Sequence, residues 1–209
     1  MNIVVFGAAG GTGLQIVRQA LNGGHRVTAF VRRPDALPIR HDNLVIAIGD
    51  TTGDESSVAQ AIRGQDVVVS ALGRRKSLRS DHLIARSMQS IVVSMQQAGV
   101  QRLILVSAFG VGASHRDAPV IPRIMYSLLL RDLFADKQVA EDIVRRSNLD
   151  WTIVHPVLLT DGPLTTKYRT GERLALRGLP KISRADVAHF ILAEIDRRAF
   201  VGKVAVVSY

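Results

Sequence analysis

Three glycines at regular spacing carry the first chemistry in this chain. Gly7, Gly10 and Gly13 follow the apolar run Ile3-Val4-Val5-Phe6 and precede a periodic stretch over residues 14–21. A strand, a glycine-studded turn and a helix start, in that order, present bare backbone amides to a diphosphate. Gly7 allows the tight turn, and Gly10 lets the backbone approach the phosphates. Gly13 lets the helix lie close to the strand, while Gly11 and Thr12 complete the loop. The spacing is G-x-x-G-x-x-G rather than the commoner G-x-G-x-x-G.

Further reactive side chains stand where other apolar runs end. Arg32 and Arg33 follow residues 27–31, where a site for an unphosphorylated ribose usually places an acid. A guanidinium instead suits a 2′-phosphate, so the expected cofactor is NADP rather than NAD. Asp50 and Thr51 follow residues 44–48; Asp50 either faces an adenine edge or caps the next turn. Leu72 and Gly73 follow residues 67–70 and precede the basic triplet Arg74-Arg75-Lys76, which reaches anionic groups or is a solvated loop. Ser107 follows residues 103–106 and either offers a hydroxyl to the site or merely ends a strand. His155, Pro156, Val157 and Leu158 follow residues 152–154, with His155 an acid–base group or a side chain tucked against the sheet. Pro156 and the irregular loop expected after it suit a wall beside a nicotinamide ring.

The elements that must hold these residues alternate strictly. Short, β-branched runs at 3–6, 27–31, 44–48, 67–70, 103–106, 152–154 and 204–207 read as parallel strands covered on both faces. Amphipathic stretches at 12–22, 55–63, 82–98, 124–147 and 184–197 read as helices, with Asp54, Asp81 and Ser183 as N-caps. The expected fold is α/β: a single Rossmann-type domain over residues 1–209 with a doubly wound parallel sheet and small C-terminal pocket elements. Ligands then collect at the carboxyl ends of the strands.

Composition narrows the classes. The chain has 209 residues, 47% of them hydrophobic, and no cysteine, which suits one well-cored cytoplasmic domain. No apolar run approaches a membrane span, and Met1 leads directly into a strand, so neither a membrane segment nor a signal peptide is expected. The net charge of +9 is scattered among few aromatics, which favours an anionic cofactor and substrate over nucleic acid. The six histidines are dispersed, so no metal site is expected. No G-x-S-x-G elbow appears, which disfavours a serine hydrolase.

Taken together the motifs resemble those of the atypical short-chain dehydrogenases, and more narrowly the biliverdin-IXβ and NADPH-dependent flavin reductases. The likeness covers nearly the whole chain. It rests on residues 6–14, Val31-Arg32, Gly49-Asp50, Leu72-Gly73 and Val106-Ser107-Ala108-Phe109. It continues through Asp161-Gly162-Pro163-Leu164-Thr165 and Ile182-Ser183-Arg184-Ala185-Asp186-Val187. The resemblance implies hydride transfer from NADPH to a flavin or open-chain tetrapyrrole. It also implies cofactor contacts from Gly7, Gly10, Thr12, Gly13, Arg32, Asp50, Leu72, Gly73 and Arg75, with Ser107 as the active-site hydroxyl.

The chain departs from the family in three places. Leu158 stands where the reductases carry an active-site histidine. The stretch from Phe109 to Lys137 is longer and includes the apolar residues 121–133, which suit a pocket or a partner surface. The Tyr-x-x-x-Lys dyad of ordinary short-chain dehydrogenases would end at Lys137, but its tyrosine position is Leu133; Tyr126 is a poor replacement. Lys137, Arg123 and Lys167 are candidates for binding an acidic acceptor. Without the dyad, a conjugated acceptor fits better than a ketone, which needs a proton on a developing alkoxide. A non-catalytic NADP(H) sensor resembling the NmrA-like regulators fits equally, and either a monomer or a homodimer is compatible.

Overall fold

Alternation within the first strand sets the plan of the molecule. In the computed structural model, which describes residues 1–73, 82–112 and 131–209, strand β1 (Asn2–Phe6) is central. It sends Ile3 and Val5 to one face and Val4 and Phe6 to the other, all four fully buried. A strand apolar on both sides needs cover on both sides. On the first face the cover is helix α1 (Gly11–Asn22), through Ile16 and Val17, and helix α5 (Arg184–Arg197), through Val187 and Ile191. On the second it comes from α2 (Glu55–Ile62), α3 (Leu83–Ala98) and α4 (Arg131–Arg146), through Val58, Ile62, Met88, Ile91 and Val144.

The other strands of the main sheet are β2 (Arg26–Val31), β3 (Leu44–Ile48), β4 (Val67–Ser70), β5 (Arg102–Val106), β6 (Asp150–Pro156), β8 (Arg169–Gly171) and β10 (Lys203–Ser208). Their order is β3-β2-β1-β4-β5-β6-β10-β8, parallel except where β8 runs against β10. Strand order reverses between β1 and β4, and the crevice at their carboxyl ends is where such sheets take ligands. The expected doubly wound, single-domain α/β fold is therefore correct. A small parallel pair, β7 (Leu158–Thr160) with β9 (Lys181–Ser183), sits apart from the main sheet.

Two of the expected caps are in place. Asp54 accepts from the Ser57 amide at 3.0 Å, and Ser183 from the Asp186 amide at 3.0 Å. The expected cap at Asp81 and helical residues 124–130 lie outside the described residues. The first turn of α3 is served from another helix. Asp136 of α4, 1% exposed, accepts from the amides of Ile84 at 3.0 Å and Ala85 at 2.9 Å.

Two expectations about strands are corrected. Strand β3 is the sheet edge and is not covered on both faces: Val45, Ile46 and Ile48 are exposed, while Leu44 and Ala47 touch the two cores. The sixth strand does not stop at Val154. His155 and Pro156 continue it in register with Val206 and Val207 of β10, which leaves the proline's missing N–H at the strand's end. The loop expected to be irregular after Pro156 begins as strand β7.

Candidate active site

The glycine turn is shaped by backbone contact. Gly7 has φ +79°, and a Cβ there would lie 2.6 Å from the Ala71 carbonyl oxygen on the far side of the crevice. A Cβ on Gly13 would lie 2.1 Å from the Gly7 carbonyl oxygen, so neither position admits a side chain. The Gly10 amide donates back to Gly7 at 2.9 Å, closing the turn. Helix α1 has no side-chain cap and no acid in its first turn. The amides of Gly11, Thr12 and Gly13 thus have no acceptor within the helix. These residues fit an anion of diphosphate size.

Arg32 and Arg33 are exposed beyond β2; Arg33 makes only a loose 3.9 Å approach to Asp35. Of the alternatives for Asp50, the structure shows turn capping. Its carboxylate accepts from the Thr52 amide at 2.8 Å and hydroxyl at 2.7 Å, which holds its pKa below the ordinary range. Thr51 is buried and shares a 2.6 Å hydrogen bond with Ser87 of α3. Leu72 is half-buried, and Gly73 is exposed with open space around its Cα. Arg75, with Arg74 and Lys76, lies outside the described residues, as do Arg123, Tyr126 and all but the last three of residues 121–133. Lys167 is exposed.

The densest chemistry lies beyond β5. Ser107 is buried, and its hydroxyl donates to Glu141 Oε1 at 2.5 Å. The same oxygen is 2.7 Å from His155 Nε2, and Arg145 donates to Oε2 at 3.1 Å. Burial pushes the Glu141 carboxyl upward, but the hydrogen bonds from His155, Ser107 and Arg145 outweigh it and hold it below its ordinary value. Glu141 is therefore an ionised carboxylate that only accepts, and His155 Nε2 donates to it. His155 is tucked against the sheet, 2% exposed, with the carboxylate between it and Ser107.

Lys137 stands one helical turn before Glu141. It is buried, and its one hydrogen bond among the described residues is a long 3.5 Å contact to the Val106 carbonyl. Desolvation lowers its pKa to about 8, against the raising influence of Glu141 and Asp136. No tyrosine of the described residues has a free hydroxyl for it. Tyr168 is bonded to His189 at 2.7 Å and Tyr209 to Asp186 at 2.7 Å.

Pro156 accepts from the Phe109 amide at 2.9 Å, which draws the ends of β5 and β6 together. Val157 is buried, whereas Leu158 is 43% exposed on β7. The following loop is pinned by Asp186, which accepts from the amides of Thr165 at 2.9 Å and Thr166 at 2.8 Å.

Sequence reasoning missed Glu141, the residue that joins Ser107 to His155. A signal existed: Asp136, Lys137, Ala140, Glu141 and Val144 have the spacing of one helix face, and that face is the buried one. Of its three charges Asp136 caps α3, which leaves Lys137 and Glu141 at the ends of β5 and β6.

A sequence model of the NAD(P)H-binding family matches residues 7–198. The chain belongs to the NAD(P)H-binding family. Its relatives include the reductase PytE of Aspergillus terreus, 27% identical over 99% of this chain and 97% of that protein. Among solved structures, this NAD(P)H-binding chain superposes on ChuY, an anaerobilin reductase of Escherichia coli O157:H7. The TM-score is 0.82, with 26% identity over 99% of this chain and 96% of ChuY. A short-chain dehydrogenase/reductase of Veillonella parvula, solved in complex with NADP, shares the fold at TM-score 0.81 and 22% identity, covering 100% of this chain and 94% of that one. The chain thus joins NAD(P)H-binding family membership to a Rossmann-like fold, as its motifs suggested.

Proposed function

We propose that the protein is an NADPH-dependent reductase that passes hydride to a flavin or open-chain tetrapyrrole. Gly7, Gly10, Gly11, Thr12 and Gly13 would hold the diphosphate, and Arg32 with Arg33 the 2′-phosphate. Leu72, Gly73, Ser107, Pro156, Val157 and Leu158 would border the nicotinamide, with Asp50 and Thr51 shaping the adenosine end. The reduced nicotinamide supplies the hydride when bound. Small elements from β7 to β9 would form the acceptor pocket.

One observation carries the choice of acceptor. Leu133 replaces the proton-donating tyrosine, and the hydrogen of the Ser107 hydroxyl is committed to Glu141. Ser107 therefore offers only lone pairs to the crevice, and a ring N–H is the partner such an oxygen accepts from. Flavins and tetrapyrroles carry ring N–H groups and spread the charge that hydride brings, so solvent can deliver the proton. The buried Lys137 ammonium adds attraction for an acceptor's carboxylate or phosphate. The likeness to ChuY, an anaerobilin reductase, supports the same acceptor class.

The test is NADPH oxidation by the purified chain with FMN, FAD or biliverdin under anaerobic conditions. Turnover with one of them is expected. Tight NADPH binding without turnover on any would retire the enzyme and favour the second reading, a non-catalytic NADP(H) sensor. That reading draws on the same replacement of the dyad tyrosine by Leu133. Cofactor choice has its own check: R32D should weaken NADPH at least about tenfold more than NADH. Equal weakening would remove the 2′-phosphate assignment.

A further inference from the structure

Arg184 is the first residue of α5, and its backbone is held from two sides. Ser183 caps the helix, and Gln19 of α1 donates to the Ala185 carbonyl at 2.9 Å. From this fixed start the side chain runs back over the glycine turn. A Cβ placed on Gly11 would lie 2.8 Å from Arg184 Cδ, 2.9 Å from Nε and 3.7 Å from Cζ. The Arg184 side chain therefore packs against Gly11, the first residue of α1, and residue 11 leaves room for it by having no side chain.

Its hydrogen bonding is incomplete. Nη1 donates to Asp161 Oδ1 at 2.7 Å, but the Asp161 side chain is 89% exposed, whereas that of Arg184 is only 27% exposed. Nε and Nη2 have no hydrogen-bond partner among the described residues. A single solvated carboxylate is a weak reason to hold a half-buried cation against the start of α1. Charge supplies a stronger one. The end of α1 offers about half a unit of positive charge. A dinucleotide's diphosphate carries two negative charges, and a guanidinium narrows that difference.

We propose that Arg184 is the side-chain half of the diphosphate site. Its Nε–H and Nη2–H donate to diphosphate oxygens whose neighbours take the amides of Gly11, Thr12 and Gly13. The inference rests on dinucleotide binding by the glycine turn and adds a residue that the glycine motif does not contain. Through Nη1 the same guanidinium keeps hold of Asp161, at the head of the loop pinned by Asp186. Dinucleotide and loop then share one cation.

Calorimetric titration of the full chain with NADPH tests this, using R184Q, R184K and D161N. If Arg184 grips the diphosphate, R184Q weakens binding about tenfold or more, and R184K, which keeps the charge but loses the fork, weakens it less. D161N removes a competing anion, so it holds or tightens NADPH binding. The two substitutions at the ends of one ion pair then act in opposite directions. If R184Q and D161N weaken binding alike, the pair is only a structural latch and the proposal fails. It also fails if R184Q binds within about twofold of wild type. Should R184Q not fold, R184K against D161N decides by the same signs. A wild-type chain that binds no NADPH would overturn the dinucleotide reading itself, a separate outcome.

Discussion

Strand β5 carries a buried charge at each end, and the two ends treat it differently. At the amino end, Arg102 donates to the Asp150 carbonyl at 2.9 Å, the Thr152 hydroxyl at 2.8 Å and Glu194 at 3.1 Å. Glu194 in turn accepts from the amides of Phe200 at 2.8 Å and Ala199 at 3.2 Å. Of this cluster only Arg102 Nε lacks a partner. At the carboxyl end, Lys137 lies against the Val106 carbonyl at 3.5 Å, its one hydrogen bond among the described residues. A densely hydrogen-bonded ion pair holds helix α5 to the sheet. An ammonium with so few partners among the described residues is the kind of group that can serve a ligand. The more weakly paired charge lies at the carboxyl ends of the strands, where parallel sheets take ligands.

The largest test of this contrast is E194A. It strands Arg102 in the interior and should cost about 3–5 kcal/mol, lowering the melting temperature by more than about 6 °C. At temperatures where it stays folded, calorimetry should find NADPH affinity unchanged. A matching loss of affinity would mean that the two ends are not separable.

K137M should do the reverse. Removing a poorly paired buried cation holds or raises the melting temperature, while acceptor turnover falls at least about tenfold. A loss of stability without loss of turnover would make Lys137 a structural group like Arg102.

The pH dependence sharpens the same point. Lys137 loses its proton at about 8 in the folded chain, against 10.5 ordinarily. Below about 8 both folded and unfolded chains hold the proton, and the burial penalty is complete. Between about 8 and 10.5 the unfolded chain binds more protons, so stability rises with pH. Wild type should therefore gain on K137M in melting temperature through that window, and a constant difference would contradict the lowered value. Turnover with an anionic acceptor should fall above about pH 8 in wild type and stay flat in K137M.

The smallest effect is expected from S107A. Losing one hydrogen bond to an ionised Glu141 costs about 1.5–3 kcal/mol. The value of kcat/KM should fall by less than in K137M, mainly through KM. An unchanged KM for the acceptor would argue that Ser107 serves Glu141 alone.

The sequence shows some of this plainly and hides the rest for physical reasons. Gly7 and Gly13 are legible because no other residue fits 2.6 Å and 2.1 Å from a carbonyl oxygen. Helix α5 is legible because Ser183 and Asp186 satisfy its first turn locally. Strands β7 and β9 are not, since three residues are too few to show a period of two. Pro156 reads as a breaker, yet at the last position of β6 its missing N–H breaks no ladder bond. Glu141 is the instructive miss. Between Lys137 and Arg145 it has the spacing of a solvated salt-bridge face, and only the docking of α4 on β5 and β6 turns that face inward.

The carboxylate of Asp136 has a consequence for how the molecule is assembled. It reaches the amides of Ile84 and Ala85 across 52 and 51 residues of chain. The opening turn of α3 therefore borrows its acceptors from a helix made much later. Deuterium uptake at those two amides should follow the docking of α4, not the fraying of α3 itself. They would make a paired clock for the moment when α4 settles beside α3 on that face of the sheet.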